Sequence, residues 1–594
     1  MRPTWLRRSR TSSAPLPTRR TAPEPEHTAL PALPRPAKLP GVRRHVVIIG
    51  GVAGGASCAA RLRRLDEECR ITIVERGPHV SFANCGLPYY VGDVITSQDK
   101  LVLAGPALFK TRFDIDVRLH HEAVRVDPAA RSVALRHAET GKEDNLAYDA
   151  LVLAPGAAPI RPPLPGIDLP GIFSVRTIPD SERIRSWIAR HSAKTAVVVG
   201  GGFIGVEMAE NLLHRGLDVS LVEMLPQIMP NLDPEIAWPM QKHLEDHGCL
   251  FALGDPVAGF EAAGGSLDVL TNDGSRHRGD LVILALGVRP ETSLAREAGL
   301  AIGSTGGIEV DSHMRTSDPN IWAVGDAVQV RNVVTGMPQL LALAGPANRQ
   351  GRIAADNIAG RPSVFRGVQG TSIIGVFGLA AAATGCSETA LRRAGITDYE
   401  KIYIHPMNHV GYYPGAKPMH LKILFRPSDG RLLGAQAVGE SDIARRMDVL
   451  SAMLQKDSTV GDLAEAELCY APQFGAAKDP VNFAGMVASN AIDGDMPVVN
   501  WDSVPENAFL LDVRDQDEFA EGHVPDSVNI PLPALRLGTS ALPKDRPILA
   551  YCKVGQRGYY AVRFLRQHGY DARNVPGGIL TWQAAQSARQ MRKS

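Results

Sequence analysis

The sequence lacks three features, and each absence excludes a class of protein. There is no charge excess, since 64 Lys and Arg face 63 Asp and Glu, so no long-range field attracts nucleic acid or an anionic membrane. No apolar run approaches the roughly eighteen residues of a membrane-spanning helix. The seven cysteines are odd in number and have no framework spacing, which disfavours a secreted disulfide scaffold. We therefore expect a cytoplasmic protein with reduced thiols, no nucleic-acid partner and no membrane partner.

The N-terminal segment, residues 1–44, is rich in Arg and Pro and has no apolar core segment. It cannot offset the entropy lost on ordering, so we predict a disordered tail. It also lacks the apolar region of a secretory signal peptide. An organelle transit peptide and an over-long gene start are the alternatives.

From His45 onwards, a strand, a glycine turn, a helix and a second strand follow one another, and the pattern recurs from Thr195. The recurrence predicts two nucleotide-binding α/β units in one chain. Residues 366–488 show mixed strands and helices without a nucleotide fingerprint, which indicates an interface domain. A polar turn at 493–497 then opens a last unit.

The first unit runs from an apolar strand into a glycine turn, and its second strand ends at an acid. Glycines let the backbone approach a pyrophosphate at a helix N-terminus, and the acid binds ribose hydroxyls. Val52 departs from the G-x-G-x-x-G pattern, so an ordinary glycine-rich turn is the alternative. The residues predicted to bind a dinucleotide here are Gly50, Gly51, Val52, Ala53, Gly55, Glu75 and Arg76.

The second unit carries a complete fingerprint, formed by Gly200, Gly202 and Gly205, and its next strand ends at Glu223. A carboxylate at that position prefers the free 2′-hydroxyl of NADH and repels the 2′-phosphate of NADPH. Arg215 lies close enough in sequence to leave NADPH open. We therefore predict an NADH or NADPH site, with NADH favoured.

A third element is a short strand that ends in Gly325-Asp326. Together with the two fingerprints, 154–156 and 287–290, it resembles the two-dinucleotide-binding flavoproteins over residues 45–365. The resemblance implies FAD, with Asp326 near the ribityl and pyrophosphate groups and a helix from Ala344 aimed at the isoalloxazine. The further cofactor residues that it implies are Asn84, Ala154, Gly156 and Gly287.

Cys85 stands alone in a polar turn, with no second cysteine at the C-x-x-x-x-C spacing of dithiol reductases. One thiol cannot resolve its own disulfide. The turn therefore predicts a mixed disulfide, persulfide or sulfenic acid at Cys85, reduced by a neighbouring flavin that has taken hydride from NAD(P)H. By residue type alone, a buried structural cysteine is the alternative.

The motif S-F-x-x-C-G-L-P-Y around Cys85, joined to G-G-V-A-G-G, resembles one group of pyridine nucleotide-disulfide oxidoreductases. This single-cysteine group comprises coenzyme A-disulfide reductases, persulfide reductases and NADH oxidases or peroxidases. In the oxidases and peroxidases, a His in the first glycine turn holds the sulfenic acid, and here that position is Ala53. Loss of this acid–base partner favours a sulfur substrate.

Resemblance to the coenzyme A-handling branch implies a ligand site beside Cys85. Arg61 and Arg64 lie one helical turn apart and could share a phosphate, with a solvated helix face as the alternative. The residues that the resemblance assigns to the substrate are Ser57, Arg61, Arg64, Ser81, Asn84, Asn348 and Lys478.

Two interface-domain segments, 408–415 and 468–482, resemble segments that reach across a homodimer to the other subunit's cysteine and flavin. The resemblance makes Tyr412 and Tyr470 hydrogen-bond donors to the leaving thiolate, with packing roles as the alternative. The cysteines without such a setting are predicted to be structural, namely Cys58, Cys69, Cys249, Cys386 and Cys469.

The last unit carries, in order, four segments that together resemble a complete rhodanese domain: 509–515, 519–525, 549–558 and 576–582. Cys552 follows an apolar strand and opens a short loop that ends at Arg557. Loop N–H groups beside Arg557 would favour the thiolate and hold a persulfide or an oxyanion. Related phosphatase loops are one residue longer, so sulfane-sulfur transfer is favoured. An inactive rhodanese fold used for docking is the alternative.

We predict an α/β flavoprotein with two Rossmann-like domains, an α+β dimerisation domain and an α/β rhodanese domain. The expected activity is NAD(P)H-dependent reduction of coenzyme A disulfide, coenzyme A persulfide or polysulfide by a homodimer without a metal. The alternatives are an NADH oxidase and a non-catalytic redox sensor or sulfur carrier. The predicted boundaries are 1–44 for the tail, 45–160 and 287–365 for FAD binding, 161–286 for NAD(P)H binding, 366–488 for dimerisation and 489–594 for rhodanese.

Overall fold

The computed structural model of the chain describes residues 43–591. The predicted tail, apart from its last two residues, lies outside the described residues. Within 43–591, no helix is both long and apolar enough to cross a membrane.

The first unit is built on a parallel sheet whose central strand is the apolar segment 45–49. β-Branched residues fill this strand and its neighbour, and both are buried as a sheet covered on both faces requires. The elements are β1 His45–Ile49, α1 Ala53–Arg63, β2 Arg70–Val74, α2 Leu87–Val91, α3 Pro106–Phe113, β3 Asp116–Arg118, β4 His121–Asp127, β5 Ser132–His137, β6 Glu143–Ala147, β7 Ala150–Leu153 and β8 Ala157–Pro159. The parallel order is β7-β1-β2-β3, and β4, β5 and β6 form an antiparallel sheet.

The second unit repeats this design. Its elements are β9 Ile172–Ser174, α4 Ile178–His191, β10 Thr195–Val199, α5 Phe203–His214, β11 Asp218–Glu223, α6 Pro234–Asp246, β12 Leu250–Leu253, β13 Val257–Ala263, β14 Ser266–Thr271, β15 Arg276–Gly279 and β16 Leu281–Leu284. The parallel sheet has the order β12-β11-β10-β16-β9, beside an antiparallel sheet of β13, β14 and β15.

The chain then returns to the first unit. The elements of this return are β17 Val288–Pro290, α7 Ser293–Glu297, β18 Ile308–Glu309, β19 Ile321–Ala323, β20 Val328–Arg331, β21 Pro338–Leu340 and α8 Ala344–Ile358. β19 pairs with β7 and completes a five-stranded sheet, and α8 packs along α1. The N-terminal ends of α1 and α8 therefore open on one region.

The next unit is an antiparallel sheet with helices. Its elements are β22 Ser372–Val376, β23 Leu379–Gly385, α9 Glu388–Arg393, β24 Glu400–Ile404, β25 Met419–Phe425, β26 Leu432–Gly439, α10 Ile443–Leu454, α11 Val460–Glu465 and α12 Pro480–Ile492. The strand order is β22-β23-β26-β25-β24. α10 and α12 cover an apolar core on this sheet.

The last unit is a small parallel sheet in the order β28-β27-β29-β30. Its elements are β27 Phe509–Asp512, α13 Gln516–Glu521, β28 Val528–Asn529, α14 Leu532–Leu535, β29 Ile548–Tyr551, α15 Gln556–Gln567, β30 Ala572–Asn574 and α16 Gly578–Met591. α16 packs against α6 of the second unit. The two Rossmann-like units, the α+β unit and the small α/β last unit agree with the predicted fold class.

Candidate active site

The two glycine turns are built alike. Gly50 has φ +92°, and a Cβ there would lie 2.1 Å from the carbonyl oxygen of Ala154; Gly200 has φ +109°. In each turn an acid at the end of the second strand accepts a backbone N–H. Gly51 N donates to Glu75 Oε2 at 3.0 Å, and Gly201 N donates to Glu223 Oε2 at 2.6 Å. The carboxylates of Glu75 and Glu223 therefore hold the two glycine turns in place.

The chain leaves open, uncapped helix ends where dinucleotide phosphates would bind. No side chain of the described residues caps α1, α5 or α8, and none of the three has an acid in its first turn. A Cβ on Gly202 or Gly345 would meet no heavy atom of residues 43–591 within 4 Å. Free N–H groups beside open space suit phosphate, so these turns fit the predicted dinucleotides.

Asp326 follows β19 and is half-buried, and the preceding residue contacts α8 because Gly325 N donates to Gln350 Oε1 at 2.7 Å. Burial raises the pKa of its carboxyl, and the Arg176 guanidinium partly opposes that rise. A half-buried carboxyl of this kind suits a ligand that brings hydroxyl groups.

Cys85 lies in a 3₁₀ turn, Asn84–Gly86, that runs directly into α2. Its side chain is exposed. Four residues earlier, Ser81 N donates to Gly51 O at 2.8 Å, so the cysteine turn is joined to the first glycine turn. Partial desolvation of the sulfur by its neighbours raises the thiol pKa, and the Glu207 and Asp326 carboxylates raise it further. The thiolate therefore depends on the charge state of these neighbours.

Glu207 was not predicted as a site residue. It lies on α5, two positions after Gly205, and Tyr89 Oη donates to its Oε1 at 3.5 Å. Burial and repulsion from Glu210 raise the pKa of Glu207 to about 7. The sequence signal was only a carboxylate among apolar residues near the start of α5, and its position beside Cys85 depends on packing of α5 on α2.

Two of the predicted substrate residues meet where α1 packs on α8. Ser57 Oγ donates to Asn348 Oδ1. Arg61 instead forms an ion pair with Asp356, 2.7 Å from Nη2 to Oδ1, whereas Arg64 is exposed. Sequence spacing made the two arginines equivalent, but the structure gives Arg61 an internal partner.

The loops that carry Tyr412 and Tyr470 meet in the described chain. Their hydroxyl oxygens lie 3.0 Å apart, and the tyrosines are 74% and 46% exposed. Val410 N donates to Gly475 O at 3.0 Å and joins the two loops. Lys478 is exposed on the second loop. The two hydroxyl groups therefore lie together on an exposed surface.

In the last unit, Cys552 follows β29 and is buried, with its Sγ accepting the Gly555 N–H at 3.2 Å. Arg557 does not lie free beside the sulfur. Its guanidinium binds Glu518 at 2.6 and 2.8 Å and Asp515 at 3.3 Å. Arg557 therefore braces the loop against α13.

Of the cysteines predicted to be structural, four are buried: Cys58, Cys69, Cys249 and Cys386. Burial raises the thiol pKa of Cys58 and Cys249 to about 12. Cys469 differs from these four because it lies in the loop before Tyr470 and is exposed. Arg445 Nη2 donates to its sulfur at 3.6 Å.

Comparison with known proteins gives three family matches. Residues 44–351 match the model of the pyridine nucleotide-disulphide oxidoreductases, 371–479 match the dimerisation domain of the same proteins, and 500–585 match the rhodanese-like domain. A coenzyme A disulfide reductase of Staphylococcus haemolyticus is 32% identical over 446 residues, which is 75% of this chain and 99% of that protein.

Two solved structures are similar over nearly the whole chain. Reduced Bacillus anthracis CoADR-RHD has a TM-score of 0.90 and 43% identity, covering 92% of this chain and 99% of its own. An NAD-dependent persulfide reductase from A. fulgidus has a TM-score of 0.85 and 36% identity, covering 91% and 100%. Both similarities extend through the last unit of this chain.

Proposed function

Since this chain belongs to the pyridine nucleotide-disulphide oxidoreductase family, we propose that it reduces coenzyme A disulfide, coenzyme A persulfide or polysulfide through Cys85. The observation that carries the proposal is the exposed Cys85 turn, joined to the first glycine turn by the bond from Ser81 N to Gly51 O. A single accessible thiol beside a dinucleotide site suits an external sulfur substrate.

FAD and NAD(P)H are the cofactors of this family, and FAD, when bound, carries an electron pair from the nicotinamide to a sulfur bond. The first glycine turn, Glu75, Asp326 and the start of α8 would hold FAD. The second turn and Glu223 would hold the nicotinamide nucleotide. The guanidinium of Arg215 is committed elsewhere, at 2.9 Å from Val91 O and 3.4 Å from Asp93, which favours NADH.

In the proposed reaction, the Cys85 thiolate attacks one sulfur of the substrate disulfide. A bond forms between the Cys85 sulfur and that substrate sulfur, the substrate S–S bond breaks, and the first thiolate leaves with the electron pair. Two electrons from NADH then break the new bond, and the second thiol leaves after taking a proton. A coenzyme A persulfide gives one thiol and hydrogen sulfide by the same steps.

Coenzyme A would lie along the exposed end of the α1 and α8 pair. Arg64 is an exposed cation there, and the Ser57 and Asn348 pair supplies further polar groups. Phosphate groups of the ligand would bind Arg64. Arg61, paired with Asp356, would hold the two helices instead.

The Tyr412 and Tyr470 surface would be covered by a second copy of this chain. Exposed aromatic and apolar side chains surround the two tyrosines, namely Met407 at 46%, Tyr413 at 41% and Phe474 at 59%. Apolar side chains clustered in this way are typical of an interface. In the homodimer, the two hydroxyl groups would donate to the thiolate that leaves the partner's active site.

The rhodanese unit would move sulfane sulfur. The Cys552 thiolate would take the outer sulfur of a donor, and the donor would leave with the electron pair of its broken S–S bond. The Gly555 N–H, 3.2 Å from Cys552 Sγ, would hold the charge that results.

The test of the reductase mechanism is the variant Cys85→Ser. We expect it to retain FAD and to accept hydride from NADH, yet to reduce no disulfide or persulfide, because only the thiolate forms the mixed disulfide. The matched control Cys386→Ala changes a buried thiol outside the site and should turn over like the wild type. Turnover of Cys85→Ser above about a tenth of the wild-type rate would contradict the mechanism.

Two rival functions give different outcomes in the same assay. Oxygen consumption with NADH alone, faster than reduction of coenzyme A disulfide, would indicate an NADH oxidase. The family's oxidases carry a His where this chain has Ala53. Absence of NADH-dependent bleaching of the flavin would indicate a sensor or sulfur carrier that does not turn over.

A further inference from the structure

The loop that carries Cys552 is held from one side by the start of α16. Ile579 N donates to Cys552 O at 2.9 Å, and Leu580 N donates to Lys553 O at 3.3 Å. A Cβ on Gly578 would lie 2.1 Å from the Cys552 carbonyl oxygen, so the two segments are in direct contact. Movement of this first helical turn would therefore move the loop.

The same helical turn also contacts the antiparallel sheet unit that contains β24. Thr581 Oγ1 lies 2.9 Å from His405 Nε2, at a position just after β24. A Cβ on Gly577 would lie 2.8 Å from Tyr403 Cβ and 3.0 Å from His405 Nε2, so only a glycine allows the approach. The start of α16 therefore lies between the Cys552 loop and β24.

His405 is itself held in place by a second histidine. Its Nδ1 lies 2.6 Å from His420 Nδ1 on β25, and one ring donates while the other accepts. Burial lowers the pKa of His405 to about 3 and also lowers the pKa of His420, so both rings are neutral at physiological pH. Two neutral rings and one hydroxyl form a chain of hydrogen bonds from β25 to α16.

A second set of contacts attaches residues 500–502, at the start of the last unit, to β24. Asp502 Oδ2 accepts from Lys401 Nζ at 2.6 Å, and Asn500 Nδ2 donates to Glu400 Oε1 at 2.9 Å. Trp501 Nε1 donates to Gly578 O at 2.8 Å. Two separate sets of contacts therefore attach the last unit to β24 and to the residue after it, one from Asn500 and Asp502 and one from Thr581.

We propose that His405 is a positioning residue for sulfur transfer at Cys552, acting through Thr581 and the first turn of α16. The inference rests on the proposed sulfurtransferase role of Cys552. In this proposal, the unit that matches the dimerisation domain, residues 371–479, also fixes the geometry of the loop that carries Cys552. A displacement of about 1 Å at a reacting group can cost up to about 100-fold in rate.

The experiment compares Thr581→Val, which keeps the shape and removes the hydroxyl group, with Thr581→Ser, which keeps the hydroxyl group. Both are made in the full-length, FAD-loaded protein. We expect Thr581→Val to lower kcat for sulfur transfer from thiosulfate by about 10-fold or more. Thr581→Ser should keep kcat for sulfur transfer near the wild-type value. NADH-dependent reduction of coenzyme A disulfide, measured on the same samples, should stay at the wild-type rate in both variants.

A readout independent of turnover is alkylation of Cys552 by iodoacetamide, followed by mass spectrometry. Cys552 is buried in the wild type, so a loosened loop should be alkylated faster in Thr581→Val and in His405→Ala. Equal alkylation and equal transfer in the Val and Ser variants would overturn the inference. If the wild type transfers no sulfur, the proposed function of Cys552 fails, and the alkylation rates still decide whether Thr581 holds the loop.

Discussion

Arg61 on α1 and Asp356 on α8 form an ion pair, with 2.7 Å between Nη2 and Oδ1 and a second contact of 2.8 Å from Nε. Asp356 is only 7% exposed. The pair therefore joins the two helices whose N-terminal ends would meet FAD. Arg64, the C-cap residue of α1, is exposed.

This difference predicts opposite phenotypes for the two arginines. Arg61→Ala leaves a buried carboxylate unpaired and should lower the free energy of unfolding by roughly 3 kcal/mol, with little change in KM for coenzyme A disulfide. Arg64→Ala should raise that KM by about fivefold or more and leave the melting temperature unchanged. Thermal unfolding of both variants measures the change in stability, and steady-state kinetics measures the change in KM. The reverse pattern would show that Arg61 binds the substrate.

Removal of the Glu207 charge should lower the pKa of Cys85. The Glu207 carboxylate raises the pKa of the neighbouring thiol, and it ionises as pH passes about 7. Alkylation of Cys85 by iodoacetamide at pH 8 should therefore be several-fold faster in Glu207→Gln. Glu210→Gln is the control, because the carboxylates that raise the pKa of Cys85 are Glu207 and Asp326. Unchanged alkylation profiles would show that the two groups do not interact.

The same substitution should change the pH dependence of stability. Glu207 has a folded pKa of about 7 against an ordinary value of 4.5, so the folded state binds more protons between these values. Wild-type stability should therefore fall as pH rises from about 4.5 to about 7, relative to Glu207→Gln. Melting temperatures of the two proteins across that range measure the difference.

The preference for NADH over NADPH should depend on Glu223 and on its exposed neighbour, Met224. Glu223 Oε1 also accepts from Leu225 N at 2.7 Å, and Met224 is 59% exposed. Glu223→Ala with Met224→Arg removes the repulsion and adds a cation, so the ratio of kcat/KM for NADPH to that for NADH should rise about tenfold or more. Arg215→Ala is the control and should leave the ratio unchanged. An unchanged ratio in the double variant would show that Glu223 does not face the ribose.

Cys552→Ala should abolish sulfur transfer and leave coenzyme A disulfide reduction intact, because the two thiols lie in separate units. If Cys552 must deliver sulfane sulfur to Cys85, persulfide reduction should fall as well. Parallel assays with disulfide and persulfide therefore distinguish independent activities from a relay. Loss of disulfide reduction in a folded, FAD-loaded variant would mean that Cys85 does not meet the substrate.

Local sequence predicted the α/β units because their signals act over a few residues. A Cβ on Gly55 or Gly205 would lie within 1.9 Å of the carbonyl oxygen of Gly50 or Gly200, so the spacing of these glycines carries the turn geometry. Val52 is tolerated because its φ of −97° lies outside the region that favours glycine, and its side chain is half-buried. The Cys85 motif predicted a lone accessible thiol for the same local reason.

Residue type could not predict the surroundings of Cys469, Arg61 or Glu207. Exposure of Cys469 depends on how its loop lies against the interface domain. Glu207 has an ordinary helical sequence context, and its raised pKa arises from burial beside Tyr89 and Glu210. Burial and neighbouring charge are properties of packed elements, so a window of sequence does not contain them.

The sequence by itself determined the order of units, the two dinucleotide turns and the two thiol loops, since each is specified by residues adjacent in the chain. Only the tertiary structure decided which polar side chains meet. Arg61 and Asp356 are 295 residues apart, Tyr89 and Glu207 are 118 apart, and His405 and Thr581 are 176 apart. Such pairs form when separate helices and strands pack together, and the geometry of that packing sets their distances and charge states.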